Sequence, residues 1–444
     1  MKHFHLHAHQ WFAENCPLSE IAKRVGTPCY VYSRAAIETA FSAFKDALRV
    51  WQPKDYQLNY AVKANSNIAI LNNLARLGSG FDIVSGGELA RVLKAGTAHN
   101  KILFSGVGKT AEEIKQALEL GIGCINVESR QEYERIVKIA SGLNKKAPIA
   151  FRVNPDVETH AHPYIQTGHH ANKFGIPVSE VLNLCQEANR EQAVLLKGLA
   201  FHIGSQVMEL DPFIKALDKM IRIIEQLKVI NIDIKELNVG GGLGVSYHEK
   251  DAGLSIESYI GAICDRLKDY PGALHLEPGR ALVAEAGVLL TTVEYIKPKP
   301  KNGDNHKVDG HSMDKHFAIV DAAMNDLIRP ALYQAWHEIL PIVENEKGEE
   351  GTEALGVKAC YDIVGPICES GDFLGQERML SIQPNDVLAI FKTGAYGFSM
   401  SSNYNSRPRL PEVMVDKDKF YIIRNRETVS ELFEGESLLP DENF

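Results

Sequence analysis

The chain has 444 residues, 45% hydrophobic and 24% charged, which suits two or three domains with sizeable cores and excludes a disordered or collagen-like chain. With 48 Lys and Arg against 57 Asp and Glu, the formal charge is −9, so a surface that tracks nucleic-acid phosphates is not expected. Seven scattered cysteines without a C-x-x-C pair fit neither a disulfide framework nor a zinc ribbon and read as reduced cytosolic thiols.

From the N-terminus, residues Met1 to Gln10 alternate histidine with other residues and lack the apolar core of a secretory signal. His3, His5, His7 and His9 read as a mobile surface tail rather than a metal site, having no carboxylate partner in the pattern. No run approaches the roughly 18 apolar residues of a membrane span, since even Ala281 to Val293 contains Glu285. A cytoplasmic protein without a membrane span is expected. Pro28 to Tyr32 reads as a strand belonging to a later β domain. Ile37, Phe41, Phe44 and Leu48 then form one apolar stripe of a helix that should cover a barrel end or flank.

Between Asp55 and Glu285, short apolar runs alternate with helical patterns, the rhythm of βα units. Strands are predicted at 58–62, 80–84, 101–104, 122–127, 148–153, 197–203, 234–239 and 273–277. Eight such units close a (β/α)8, TIM-like barrel. Ser85-x-x-Glu88 and Ser129-x-x-Glu132 read as capping boxes, and Gly96 and Gly142 as the glycines that follow helix C-termini.

After Glu285 the pattern changes to strand-like runs at 288–296, 317–320, 357–364, 387–391 and 420–423, with one helix expected over 329–339. Polar stretches at 298–316 and 344–352 read as exposed loops. The expected organisation is an N-terminal segment (1–34) lending a strand to the β domain, a barrel (35–285) and a C-terminal β domain (286–444).

In such a barrel, reacting groups belong at the C-terminal ends of the strands. Lys63 ends the first strand, His202 and Ser205 the sixth, Gly240-Gly241-Gly242 the seventh, and Glu277-Pro-Gly279-Arg280 the eighth. Singly, each has an ordinary reading: a solvated lysine, a tight glycine turn. Together they outline a pyridoxal phosphate site. A lysine amine can form an imine with an aldehyde, backbone N–H groups at glycines can approach phosphate, a flat imidazole can stack, and a carboxylate can hold the pyridine nitrogen protonated.

The residues that carry this outline sit in longer motifs: Tyr60-Ala-Val-Lys63-Ala-Asn, Gly80-Phe-Asp82-Ile-Val-Ser-Gly-Gly-Glu88, His162-Pro-Tyr-Ile-Gln-Thr-Gly168 with Lys173-Phe-Gly-Ile, Glu277-Pro-Gly-Arg280, Met324-Asn-Asp-Leu-Ile-Arg329-Pro-Ala-Leu-Tyr333, Cys368-Glu369-Ser-Gly-Asp-Phe-Leu and Gly394-Ala-Tyr396-Gly. On these motifs, from about Pro28 to the last strand, the chain resembles the fold-type III (group IV) pyridoxal-phosphate-dependent decarboxylases. Within that family it is most similar to the branch that converts meso-diaminopimelate to L-lysine and carbon dioxide. Ala323 and Ala281 depart from the family's common glycine and serine, and neither change removes a reacting group.

The resemblance implies an alanine-racemase-like architecture, a barrel followed by a β-barrel or sandwich domain. It makes Lys63 the Schiff-base lysine and Cys368 the acid that reprotonates the substrate carbon. It assigns Asp82, His202, Ser205, Gly240, Gly241, Gly242, Glu277, Gly279, Arg280 and Tyr396 to the cofactor. Arg280, Arg329, Tyr333, Glu369 and Tyr396 are assigned to the substrate. It also implies a homodimer in which Cys368 and Glu369 reach the partner's site. No metal is implied.

Polyamine-forming decarboxylases of the ornithine or carboxynorspermidine type are the alternative, but they typically carry aspartate after the cysteine and lack the counterpart of Arg329. A racemase is disfavoured by Glu277, and a non-catalytic regulatory homologue by Lys63. Ser105-Gly-Val-Gly108-Lys109-Thr110 lacks the first glycine of a phosphate-binding loop, with Leu103 in its place, and is not read as a nucleotide site. His160, His162, His169 and His170 are placed in a loop near the cofactor without a metal, and Cys360 is read as a buried strand residue.

Overall fold

The computed structural model describes residues 2–158, 168, 172–248, 250–298, 307–308, 311–312, 315–344 and 358–439. The histidine group at 160, 162, 169 and 170, the motif from His162 to Thr167, and most of the polar stretches at 298–316 and 344–352 lie outside the described residues. The chain forms two compact units, Ala36–Ala284 and Met1–Ala35 with Glu285–Phe444.

The first unit is a closed barrel of eight parallel strands: β1 Tyr56–Ala61, β2 Gly80–Ile83, β3 Ile102–Phe104, β4 Cys124–Val127, β5 Ala147–Asn154, β6 Val194–Ala200, β7 Glu236–Asn238 and β8 Ala273–Leu276. Closure is made where Leu274 of β8 pairs with Tyr56 of β1 and where Ile125 of β4 pairs with Ile149 of β5. Phe81, Ile83, Ile102, Phe104, Ile125, Val127, Phe151 and Val153 are all buried, as expected for strands covered on both faces. The helix Arg34–Trp51 buries Ile37, Phe41, Phe44 and Leu48 on one stripe. Its last residue lies on a barrel flank, because a Cβ at Gly261 of the helix Ile256–Arg266 would come within 2.8 Å of the Trp51 ring.

Two cap expectations need correction. Ser85 and Ser129 each accept the N–H three residues on, at 3.2 Å. However, the Glu88 and Glu132 carboxylates return to the N–H groups of Val84 and Glu128, one residue before the cap. The reciprocal box occurs instead at Thr110 and Glu113. Gly96, with φ 88°, does follow a helix end. Gly142 is still helical, and Asn144, with φ 49°, makes the turn.

In the second unit the long strand Gly287–Pro298 is central. It pairs antiparallel with Cys29–Ser33, with Val387–Phe391 and with Lys315–Val320. Cys29–Ser33 in turn pairs parallel with Glu412–Asp416, so the N-terminal run does join the β domain. Ala359–Val364 and Phe373–Leu380 extend the other edge. Its core gathers Phe4, Leu18, Ile21, Val31, Val288, Leu290, Phe391, Val413 and Val415.

The N-terminus is no loose tail. Phe4–His7 and Gln10–Ala13 form an antiparallel hairpin in which the His5 ring stacks on Phe12 at 5.7 Å. Nor does a helix run over 329–339. Only Arg329–Tyr333 is helical, Gln334 turns left-handed, and Ile339–Pro341 is a strand against Val387–Phe391. The reason is His337: its ring bonds Arg329 and the Phe391 carbonyl, each at 2.8 Å, and draws the chain onto the sheet. Among the described residues no helix is long and apolar enough to cross a membrane.

Candidate active site

In the barrel unit, the polar residues named above collect at the C-terminal ends of the strands. β1 ends at Ala61 and passes into the single turn Val62–Ala64, which lifts Lys63 to the mouth. Its amine donates to Asp82 Oδ2 of β2 at 3.2 Å. The Asp82 carboxylate is wholly buried, and its Oδ1 has no hydrogen-bond partner among the described residues. Such an orphaned acceptor is costly and marks a place prepared for a donor.

Glu277 follows β8. Its Oε1 accepts from Asn238 Nδ2 of β7 at 2.6 Å and from Asn126 Nδ2 of β4 at 3.5 Å. Its Oε2 takes no hydrogen bond among the described residues. Burial, and then the nearby Asp82 carboxylate, push the Glu277 carboxyl up to about 8, against the pull of Lys63 and Asn238. A cation opposite Oε2 would reverse that cost.

His202 lies beyond β6, and its Nδ1 accepts the Gly241 N–H at 3.2 Å. This bond requires a neutral ring with the proton on Nε2. Desolvation, with Lys63 and Arg152 nearby, holds the imidazole well below its usual range. The ring is thus available as an uncharged plane.

The glycine run has a steric basis. Gly240 and Gly242 have φ of 69° and 101°, values that favour glycine. A Cβ on Gly241 would lie 2.1 Å from the Glu277 carbonyl oxygen, and one on Gly242 would lie 2.3 Å from that of Gly204. The N–H groups of Gly242 and Gly279 have no hydrogen-bond partner among the described residues. Beside them the buried Arg280 guanidinium donates to Tyr247 Oη at 2.8 Å and Ser205 Oγ at 3.0 Å. An amine for an aldehyde, open N–H donors for a phosphate and a carboxylate with one free oxygen for a ring nitrogen together fit pyridoxal phosphate.

Lys109 does not serve a phosphate. It is buried, with its amine donating to the carbonyl oxygens of Gly106 and Asn126 at 2.7 Å and to Glu132 at 2.6 Å. Glu128 continues this network, accepting from Arg152 at 2.7 Å and from the N–H groups of Gly106 and Gly175.

The second unit carries the remaining candidates. Arg329 is 5% exposed, with its guanidinium 2.8 Å from His337 Nε2. Tyr333 ends the same short helix. Tyr396 sits at a left-handed turn, φ 56°. Cys368 is the one exposed thiol of the seven cysteines, with its N–H on Asn405 Oδ1 at 3.2 Å. Glu369 accepts a hydrogen bond from Tyr404. Sequence reasoning missed Asn238, Tyr247, His337 and Tyr404. Each acts on a partner on a different element or loop, and no local spacing announces it.

These features define a pyridoxal-dependent enzyme on an eight-stranded barrel, and comparison with known proteins agrees. Residues 34–284 match the family described as pyridoxal-dependent decarboxylase, pyridoxal binding domain. A diaminopimelate decarboxylase from Pseudomonas fluorescens is 48% identical over 99% of this chain and 100% of its own. The crystal structure of diaminopimelate decarboxylase from Helicobacter pylori complexed with L-lysine is 40% identical, with TM-score 0.85 over 94% of this chain and 99% of that one. The crystal structure of diaminopimelate decarboxylase from M. jannaschii is 35% identical, with TM-score 0.90 over 99% of this chain and 98% of that one. The chain therefore belongs to the diaminopimelate decarboxylases within the pyridoxal-dependent decarboxylase family.

Proposed function

We propose that this chain decarboxylates meso-2,6-diaminopimelate at its D-configured centre, releasing L-lysine and carbon dioxide, as the last step of lysine formation. When bound, pyridoxal phosphate supplies the electron sink that takes up the charge left on the substrate carbon as carbon dioxide departs. Lys63, its amine oriented by Asp82, would hold the aldehyde end. The uncharged His202 ring would supply a plane for the cofactor ring to stack on. Gly242, Gly279, Ser205 and Arg280 would hold the phosphate end, while Gly240 and Gly241, whose N–H groups are already on Asn238 and His202, shape the turn that presents them; Tyr396 would contact cofactor and substrate. Glu277, fixed by Asn238, would pair with the ring nitrogen and favour its protonated form, deepening the sink. Cys368 Sγ delivers the proton to the carbon that lost carbon dioxide.

The observation that carries the substrate reading is the presence in one chain of Glu369 beside Cys368 and of the buried guanidinium of Arg329. A carboxylate suits a distal ammonium, and an arginine suits a second carboxylate. Only a diamino diacid needs both. Arg280 and Tyr333 complete the substrate contacts. We infer a cytoplasmic homodimer in which Cys368 and Glu369 of each chain serve the partner's site. The exposed Cys368 thiol is compatible with a reducing compartment.

Genetic complementation tests this reading. Expression of the chain should restore growth without lysine to a bacterium that lacks diaminopimelate decarboxylation, and the Lys63→Ala variant should not. Failure of the wild-type chain, with soluble protein present, would remove the assignment.

A further inference from the structure

We propose that Asp372 is a positioning residue whose carboxyl oxygens tie the loop bearing Cys368 and Glu369 to the segment that leads into Arg329; this rests on the function proposed above. Asp372 lies immediately before the strand Phe373–Leu380 and is 4% exposed. Its two oxygens are divided. Oδ1 accepts the Met324 N–H at 2.7 Å, and Oδ2 accepts the Ile367 N–H at 2.7 Å. Met324 stands five residues before Arg329, and Ile367 directly precedes Cys368.

The main chain closes the same loop around the carboxylate. The Asp372 N–H bonds the Glu369 carbonyl at 3.1 Å, and the Glu369 N–H bonds the Ile367 carbonyl at 2.8 Å. On the other side Asp326, also buried, accepts the Ala323 N–H at 3.0 Å. The adjacent N–H groups of Ala323 and Met324 are thus taken by two different carboxylates. The two segments touch without spare room: a Cβ on Gly365 would lie 2.6 Å from Ala323 Cα and 2.6 Å from Asp372 Oδ2.

Only a carboxylate can do this. It offers acceptors on both oxygens, whereas an asparagine of the same shape offers one acceptor and turns its NH2 toward the other N–H donor. One of the two segments would then be released. In a dimer with exchanged Cys368 and Glu369, these segments serve different sites, so a lesion at Asp372 would reach both.

The test uses the purified holoenzyme. Asp372→Asn is expected to lower kcat/KM for meso-diaminopimelate about tenfold to a hundredfold per cofactor-loaded site, the scale of a small misplacement of reacting groups. It should also change the iodoacetamide alkylation rate of Cys368 severalfold, while cofactor absorbance at Lys63 stays at the wild-type level. Gly365→Ala, which pushes on Ala323 and Asp372 from the side of the Cys368 loop, should reproduce both effects and replaces Asp372→Asn if that variant does not fold. A merely stabilising aspartate would lower the melting temperature and leave kinetic constants and alkylation of the folded enzyme unchanged. Constants and alkylation within twofold of wild type would overturn the proposal. If the wild-type enzyme does not decarboxylate diaminopimelate, the functional reading fails, and the alkylation rate alone decides whether Asp372 positions the loop.

Discussion

Asn238 donates a 2.6 Å hydrogen bond to Glu277, joining the last residue of β7 to the residue that follows β8. Of the two carboxylate oxygens, only the one facing Asn238 and Asn126 is engaged within the described residues.

The bond does not offset the burial of Glu277, whose carboxyl is raised from 4.5 to about 8. A carboxyl raised on folding contributes stability that is present below its unfolded value and lost as pH climbs through the folded one. The cofactor-free protein should therefore lose stability relative to Glu277→Gln between about pH 4.5 and about pH 8. Thermal melts of both proteins across that window check this. A difference that is flat or runs the other way contradicts the assignment.

Arg329→Ala should lower kcat/KM for diaminopimelate about tenfold to a hundredfold, the value of one charge-assisted carboxylate bond of roughly 1.5–3 kcal/mol. Steady-state kinetics decide it. An unchanged specificity constant takes Arg329 out of the substrate set.

Lys109 and Glu132 form a pair in which the side chains are 1% and 8% exposed. Lys109→Met leaves Glu132 buried without its cation and should destabilise the protein by about 3–5 kcal/mol. Denaturant unfolding measures the loss, and calorimetry with ATP should show no binding by the wild type. Binding of ATP that Lys109→Met abolishes would restore the nucleotide reading.

Where the sequence was legible, one physical signal explains it. All eight barrel strands lie within a few residues of their predicted places, because buried parallel strands are short apolar runs between capped helices, as with Gly80–Ile83 before Ser85. The misses lack such a signal. Phe373–Leu380 carries Gln376, Glu377 and Arg378, and Glu377 bulges at φ 56°. The N-terminal hairpin turns on Ala8 and His9, at φ 47° and 60°, where Asn-Gly is the usual mark. The supporting contacts were the least legible: Tyr404 reaches Glu369 across 35 residues of sequence, and Asp372 reaches Met324 across 48.

Subunit exchange tests the proposed sharing of the site between two chains. Lys63→Ala and Cys368→Ala should each be inactive alone, and a heterodimer of the two contains one intact site. Random pairing of equal amounts makes half the dimers heterodimers, so activity should recover to roughly a quarter of wild type. Exchange demonstrated by mass spectrometry without recovered activity would place both residues in one chain's site.

The proposed reaction is the removal of carbon dioxide from the D-centre of a diamino diacid. Carbon dioxide release by the purified protein with pyridoxal phosphate, measured on the separate stereoisomers of diaminopimelate and on ornithine and arginine, addresses it most directly. Release from the meso isomer with L-lysine as product, and little from the L,L isomer, ornithine or arginine, is the expected result. Equal release from ornithine, or none from the meso isomer, would contradict the account.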